Sequence, residues 1–364
     1  MRGADITQEN LFSTVHLDTF VPKNHPLRKI RELFNDAMKR IDWLLDSAYS
    51  EYGRESIPPE RLLRAQLLQI LYTIRSERML VEQMNYNLLF RWFTGMSIDE
   101  PVWDHSTFSK NRDRLLDHDI IPSLFVEVVE LARQRDLVSD DHFSIDGTLI
   151  QAWASHKSFR PKEEDNDNDT NNSSRNKEKD FHGEKRSNDT HESKTDNEAR
   201  NYKKSKHSEA KLAYLGHSLI ENRNGLVVDA KVTQADGYGE REAAIDMLAA
   251  LPGEHRKTVG ADKNYDTKGF VANCQGMKIT PHVTQNHKRK GGSAIDGRTT
   301  RHKGYAISIK KRKRVEEPFG WGKTIGHIRQ VKVRGIARVN SVLQMTFIGW
   351  NLTRMRNLQD QCVL

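Results

Sequence analysis

The chain has 364 residues and a formal net charge of +8, with 58 Lys and Arg against 50 Asp and Glu. That length allows two domains around a core that needs no staples, and the charge favours a polyanionic partner, a merely soluble basic protein being the bland alternative. Cys274 and Cys362 form no framework and no metal-spaced pair, no apolar run reaches the ~18 residues of a membrane span, and MRGADITQEN at the start lacks the apolar core of an export signal, so a cytoplasmic protein without membrane contact is expected.

The first 140 residues read as helical. HPLRKIRELFNDAMKRIDWLL sets Leu27, Ile30, Leu33, Phe34, Met38 and Ile41 at three- and four-residue steps, one stripe of an amphipathic helix. IPPERLLRAQLLQILYTIRSERMLVEQM opens with Pro where a first turn tolerates it and is apolar on most sides, which predicts a central helix. DHSTFSKNRDRLL predicts a short helix capped by Asp104 or Ser106 and carrying Lys110, Arg112 and Arg114, either half of a helix-turn-helix or an ordinary capped surface helix.

The period then changes. DDHFSIDGTLIQAWAS predicts a strand with Asp146 in its middle. From about residue 157 to 211 the chain is nearly devoid of aliphatic residues, so much of that stretch is expected to be mobile without a partner. LAYLGHSLIENRNGLVVDAKVTQA gives two β-like runs joined across Asn224-Gly225, a hairpin signal. GEREAAIDMLAAL predicts a helix, KTVGADKNY a strand ending in Asp262, TKGFVANCQG a helix and KITPHVT a strand. The fold class expected is α/β with a mixed sheet (residues 141–364) behind an all-helical domain (residues 1–140).

Asp146 and Asp262 both follow small or apolar residues in strands, where an unpaired carboxylate is expensive. Each could cap a turn. Alternatively the two meet at one sheet edge, and a third acid on a later helix, Glu316 or Glu317, completes an all-oxygen set of the kind hard divalent cations take. Those two glutamates sit inside the most basic stretch of the chain, KKRKRVEEPFGWGKT. There Lys310, Lys311, Arg312, Lys313 and Arg314, extended by Arg329, Lys332 and Arg334, suit phosphates or else form a solvated helix face. A helix over 309–323 would put Arg312, Glu316 and Lys323 within a narrow arc beside the apolar stripe of Ile309, Val315 and Phe319. Trp153 and Trp321 could stack on an unpaired base, with core packing the stronger expectation for Trp153.

SIDGTLIQAWASHKSF, FHGEKRSNDTHESKTDNEAR, KLAYLGHSLIENRNGLVVDA, ADKNYD, TPHVTQN, AIDGRTTRHKGYAIS and RKRVEEPFGWGKTIG resemble, in order, the blocks of bacterial insertion-sequence transposases. The resemblance is to the DDE class, in the insertion-sequence-five branch of the insertion-sequence-four superfamily, and covers nearly the whole chain. It implies a ribonuclease-H-like domain, two magnesium or manganese ions, and cleavage and joining of the element's DNA ends, with a homodimer on paired ends. The family's first and second aspartates fall on Asp146 and Asp262. In its signature Tyr-x-x-Arg-x-x-x-Glu-x(6)-Lys, Arg312, Glu316 and Lys323 fit, whereas the Tyr position is Ile309; in the DKGYD block Asn264 replaces Gly. The resemblance thus assigns the metal-binding acids to Asp146, Asp262 and Glu316, and DNA contact to Lys323 with the basic run.

Overall fold

In the computed structural model the described residues are 16–49, 56–162, 187–203, 209–236, 239–288 and 291–361. The described residues up to Gln134 form helices and their connections, and the stripe read from the sequence is the buried one: Leu27, Ile30, Leu33, Phe34 and Met38 of the Pro26–Arg40 helix are at most 4% exposed. Pro59 opens the next helix, Pro59–Leu71, whose Leu62, Leu63, Leu67 and Leu68 are fully buried. That helix is shorter than the sequence pattern suggests. Thr73 turns to φ +54, and Ser76 then caps a separate helix, Glu77–Tyr86, by accepting a hydrogen bond from Met79 N at 3.2 Å.

The predicted capped helix is Ser106–Asp117, with Asp104 Oδ1 accepting from Ser106 N at 2.8 Å. Its arginines are engaged within the protein: Arg112 pairs with Glu77, and the Arg114 guanidinium lies 4.5 Å from the Tyr49 ring.

Residues 142–283 build one six-stranded sheet: β1 (His142–Gln151), β4 (Arg200–Tyr202), β5 (Lys211–Glu221), β6 (Val227–Gln234), β7 (Lys257–Ala261) and β8 (Ile279–Val283). Two short strands, β2 (Phe159–Pro161) and β3 (His191–Ser193), pair separately. β1, β5 and β6 form an antiparallel meander, and β7 and β8 add in parallel on the other side of β1. Gly225, at φ +75, makes the predicted turn between β5 and β6. Fully buried Glu221 organises that turn: Oε1 accepts from Asn224 N at 2.7 Å and Leu226 N at 3.2 Å, and Oε2 from Arg223 N at 2.9 Å.

One sheet face packs on the helices Gly239–Ala249 and Lys268–Gly276 through Phe143, Ile145, Val259, Tyr265 and Phe270. The other lies under the long helix Ile336–Gln361 and shares one apolar cluster with the N-terminal helices, from Leu33 and Phe125 through Tyr214 to Phe347. The helical region is therefore built onto the sheet rather than set apart from it. The long helix also covers the outer edge of β6. Asn351 accepts from Val227 N at 2.9 Å and donates to Val227 O at 2.8 Å; Asn340 accepts from Val232 N at 3.0 Å, and Gln344 donates to Ala230 O at 3.3 Å.

Within the polar segment 157–211 the described residues include β2, β3 and β4. Polar contacts replace the missing apolar burial: Tyr214 OH donates to Asp196 at 2.6 Å, the Ser158 and Ser193 hydroxyls meet at 2.8 Å, and Ile336 N donates to Glu198 at 2.8 Å. Residues 163–186, which include the FHGEKR block, lie outside the described residues, as do Arg289, Lys290 and Cys362.

Candidate active site

β1 and β7 run side by side in parallel with Ser144 opposite Gly260. Two residues further along each chain come Asp146, still within β1, and Asp262, just past the end of β7. The strand spacing of about 4.8 Å and this register bring the two acids abreast at the sheet's C-terminal edge. Asp262 caps a single 3-10 turn, Lys263–Tyr265, with Oδ1 accepting from Asn264 N at 2.7 Å. Among the described residues the Asp146 carboxylate accepts one hydrogen bond, from its neighbour Gly147 N at 2.8 Å. Burial is the largest influence on its carboxyl, and with the nearby Asp262 and Glu316 charges it pushes the group up to about 6, against the pull of Gly147 N and Arg312.

Glu316 arrives by a route different from the one the sequence suggests. The expected helix over 309–323 is two helices, Lys303–Lys311 and Glu316–Thr324, joined by a 3-10 stretch, Arg312–Val315. Pro318 sits in the first turn of the second helix, where its missing N–H costs nothing. Glu316 is consequently exposed at a helix start instead of lying on the core-facing stripe, while Val315 and Phe319 beside it are buried. Glu317 is exposed as well; of the pair, Glu316 is the one whose charge acts on Asp146.

The cations divide into two groups. Lys310, Lys311 and Lys313 are exposed along the helix end and the 3-10 stretch, as are Arg329 and Arg334 farther on. Others are held by the protein. Arg314 donates to the hairpin carbonyls of Asn222 at 2.9 Å and Arg223 at 2.7 Å, Lys332 donates to Arg75 O, and Lys323 reaches Thr148 Oγ1, two residues beyond Asp146 on β1. Arg312 packs over β7, its Cβ 3.4 Å from where a side chain on Gly260 would begin, and its Nε is buried with no hydrogen-bond partner among the described residues. The tryptophans exchange their expected places: Trp153 is 45% exposed, whereas Trp321 packs edge-on against Trp350 with ring centres 5.9 Å apart.

Sequence reasoning missed one acid. Glu240, in the first turn of Gly239–Ala249, is pushed up to about 7, by burial first and then by Asp262 and Asp146. The sequence marks it only as a polar residue at a helix start; its approach to β1 depends on Gly147, which no spacing rule reveals.

An all-oxygen donor set, one member half-buried with a single side-chain hydrogen bond and pressed by neighbouring acids, suits a hard divalent cation. Among the described residues no three His, Cys, Asp or Glu side chains already converge closely enough to enclose a metal ion. The donors fit by chemistry and neighbourhood, without a preformed cage.

Comparison with known proteins gives the family. Residues 139–352 match the Transposase DDE domain family, and residues 15–114 match the family described as Transposase domain (DUF772). The chain belongs to the DDE-domain transposase family, and its sheet is the core of a ribonuclease-H-like fold behind a helical region. No curated protein matches. Among solved structures, the piggyBac transposase synaptic complex with hairpin DNA overlays with a TM-score of 0.44 at 9% identity, covering 92% of this chain and 76% of that one. The Mos1 transposase paired-end complex with the left transposon end gives 0.21 at 10% identity, covering 79% and 85%. Both overlays are loose. Among the described residues no helix is long and apolar enough to cross a membrane.

Proposed function

We propose that this chain is an active transposase of the insertion-sequence-five branch. It would bind the inverted-repeat ends of its own element, cut the DNA and join the 3′-hydroxyl ends to a target, as a homodimer on paired ends. The observation that carries this reading is the register that sets Asp146 and Asp262 abreast with Glu316 in electrostatic reach. A pure DNA binder has no use for a half-buried carboxylate pressed by two other acids.

Asp146, Asp262 and Glu316 are the residues that would hold divalent cations. Magnesium or manganese, when bound, would neutralise charge on the scissile phosphate and ease deprotonation of the attacking water or DNA 3′-hydroxyl. The chain's own part is positioning. Lys310, Lys311 and Lys313 offer exposed ammonium groups to phosphates on the side from which Glu316 approaches, and Arg329 and Arg334 extend that surface. Lys323, resting on Thr148, would keep a cation beside the first acid. Arg312, with its buried Nε, would balance the acids in the absence of DNA. Arg314 serves the hairpin, so phosphate contact passes chiefly to its neighbours.

The test uses labelled element ends with magnesium or manganese. Asp146→Asn, Asp262→Asn and Glu316→Gln should each lower cleavage at least about a thousandfold while binding of the ends stays near normal, because phosphate contacts are made elsewhere. Glu317→Gln should keep most activity. An essential Glu317 with a dispensable Glu316, or normal cleavage by Asp146→Asn, would sink the assignment.

A further inference from the structure

Gly147 directly follows Asp146 in β1, and its missing side chain leaves a gap that two groups enter. A Cβ built there would sit 3.0 Å from Glu240 Oε1 and 3.3 Å from His217 Nδ1. His217 lies opposite Gly147 across the β1–β5 ladder and is fully buried; its Nε2 meets Thr233 Oγ1 at 2.8 Å. Nδ1, on the side of Glu240, has no hydrogen-bond partner among the described residues. The Tyr265 hydroxyl is also fully buried, and its interaction is with the Glu240 carboxylate, through charge and a loose side-chain hydrogen bond. A buried imidazole nitrogen without a partner is costly. Beside a third acid group in a gap one methyl would close, it marks a space built for something polar.

That space is reachable. Glu240 also lines a solvent-open cavity of about 480 Å³, with Arg241, Lys263, Asn264 and Lys288 on its walls. Glu316 comes from the helices on one face of the sheet, and Glu240 from the helix on the opposite face, past Gly147.

We propose that Glu240 is a fourth metal-binding carboxylate, which joins Asp146 and Asp262 from the far side of the sheet, with His217 Nδ1 and Tyr265 OH orienting its carboxylate. The inference rests on the reading of Asp146 and Asp262 given above. It explains why a residue with no side chain must follow Asp146: any Cβ would press on Glu240. In oxygen-ligand sites a further carboxylate tightens cation binding, and the groups that orient a ligand matter nearly as much as the ligand itself.

The experiment is a manganese titration of the metal-free full-length protein without DNA, followed by calorimetry, so that binding is read separately from cleavage. Glu240→Gln should weaken binding at least tenfold, as should Asp262→Asn. Gly147→Ala should do the same by displacing the Glu240 carboxylate, and Glu242→Gln, an exposed acid on the same helix, should bind like the parent. If Glu240→Gln fails to fold, Glu240→Asp, which withdraws the carboxylate by one methylene, takes its place with the same expectation. Parent-like binding by the Glu240 and Gly147 variants alongside loss in Asp262→Asn would overturn the fourth carboxylate and leave the three-acid site standing. Parent-like binding by Asp262→Asn as well would overturn both.

Discussion

The hairpin end of the sheet buries an acid and its carboxylate edge half-buries another, and they treat them in opposite ways. Glu221, closing β5, accepts three main-chain N–H groups within 3.2 Å and stitches a turn together. Asp146, on the adjacent strand, accepts one, from its own neighbour, and faces other acids. A buried charge with its hydrogen bonds supplied is structural; one left short of partners is a cost carried for another purpose. The first acid holds the fold, and the second waits for something outside it.

Removing the two acids should therefore shift stability in opposite directions. Glu221→Ala strips the acceptor from buried turn N–H groups and should destabilise the protein by about 3–5 kcal/mol, measured by urea unfolding. A loss under about 1 kcal/mol would mean that water or another side chain replaces the carboxylate.

Asp146→Asn should stabilise the metal-free protein, by about 1–3 kcal/mol at pH 7.5 in the presence of a chelator. The sign follows from the raised folded-state value: a carboxyl at about 6 instead of 3.8 contributes stability that is full below about 3.8 and is lost as pH rises through about 6. The gap between parent and variant should thus be closed below about pH 4, open as pH rises towards 6 and stay constant above it. A variant less stable than its parent at pH 7.5 would show that the acid is compensated in the free protein.

The smallest expected effect tests the well-satisfied side again. Asn351→Ala removes two buried hydrogen bonds to Val227 and should cost about 1–2 kcal/mol without weakening manganese binding. A matching loss of manganese affinity would show that the two regions are not independent.

How much of this was legible in the sequence varies with the range over which the information acts. The helical stripe of Leu27 to Ile41, the Asn224-Gly225 turn, the strand carrying Asp146 and the strand that stops one residue before Asp262 depend on local periodicity and turn chemistry. The helix expected over 309–323 breaks because a 3-10 stretch fits Arg312 against Gly260, a contact made fifty residues away in the chain. Strands β3 and β4 lie in a stretch whose composition argues for disorder, and specific polar contacts such as Tyr214 to Asp196 order them. The exposed Trp153 and the committed Arg112, Arg314 and Lys332 show that residue type announces a capacity, whereas the neighbours decide whether it is free. Glu240 was invisible for the same reason, since its meaning lies in the gap at Gly147.

The amide side chains that the long C-terminal helix lays along β6 have a consequence for assembly. An open strand edge is a template on which a second copy can build, and an unguarded one invites fibres as readily as dimers. Asn340, Gln344 and Asn351 occupy rungs between Val227 and Val232 that a foreign strand would need. Two copies brought together along this border cannot merge their sheets, so a contact made there has to run through side-chain surfaces and can come apart without unpicking either sheet.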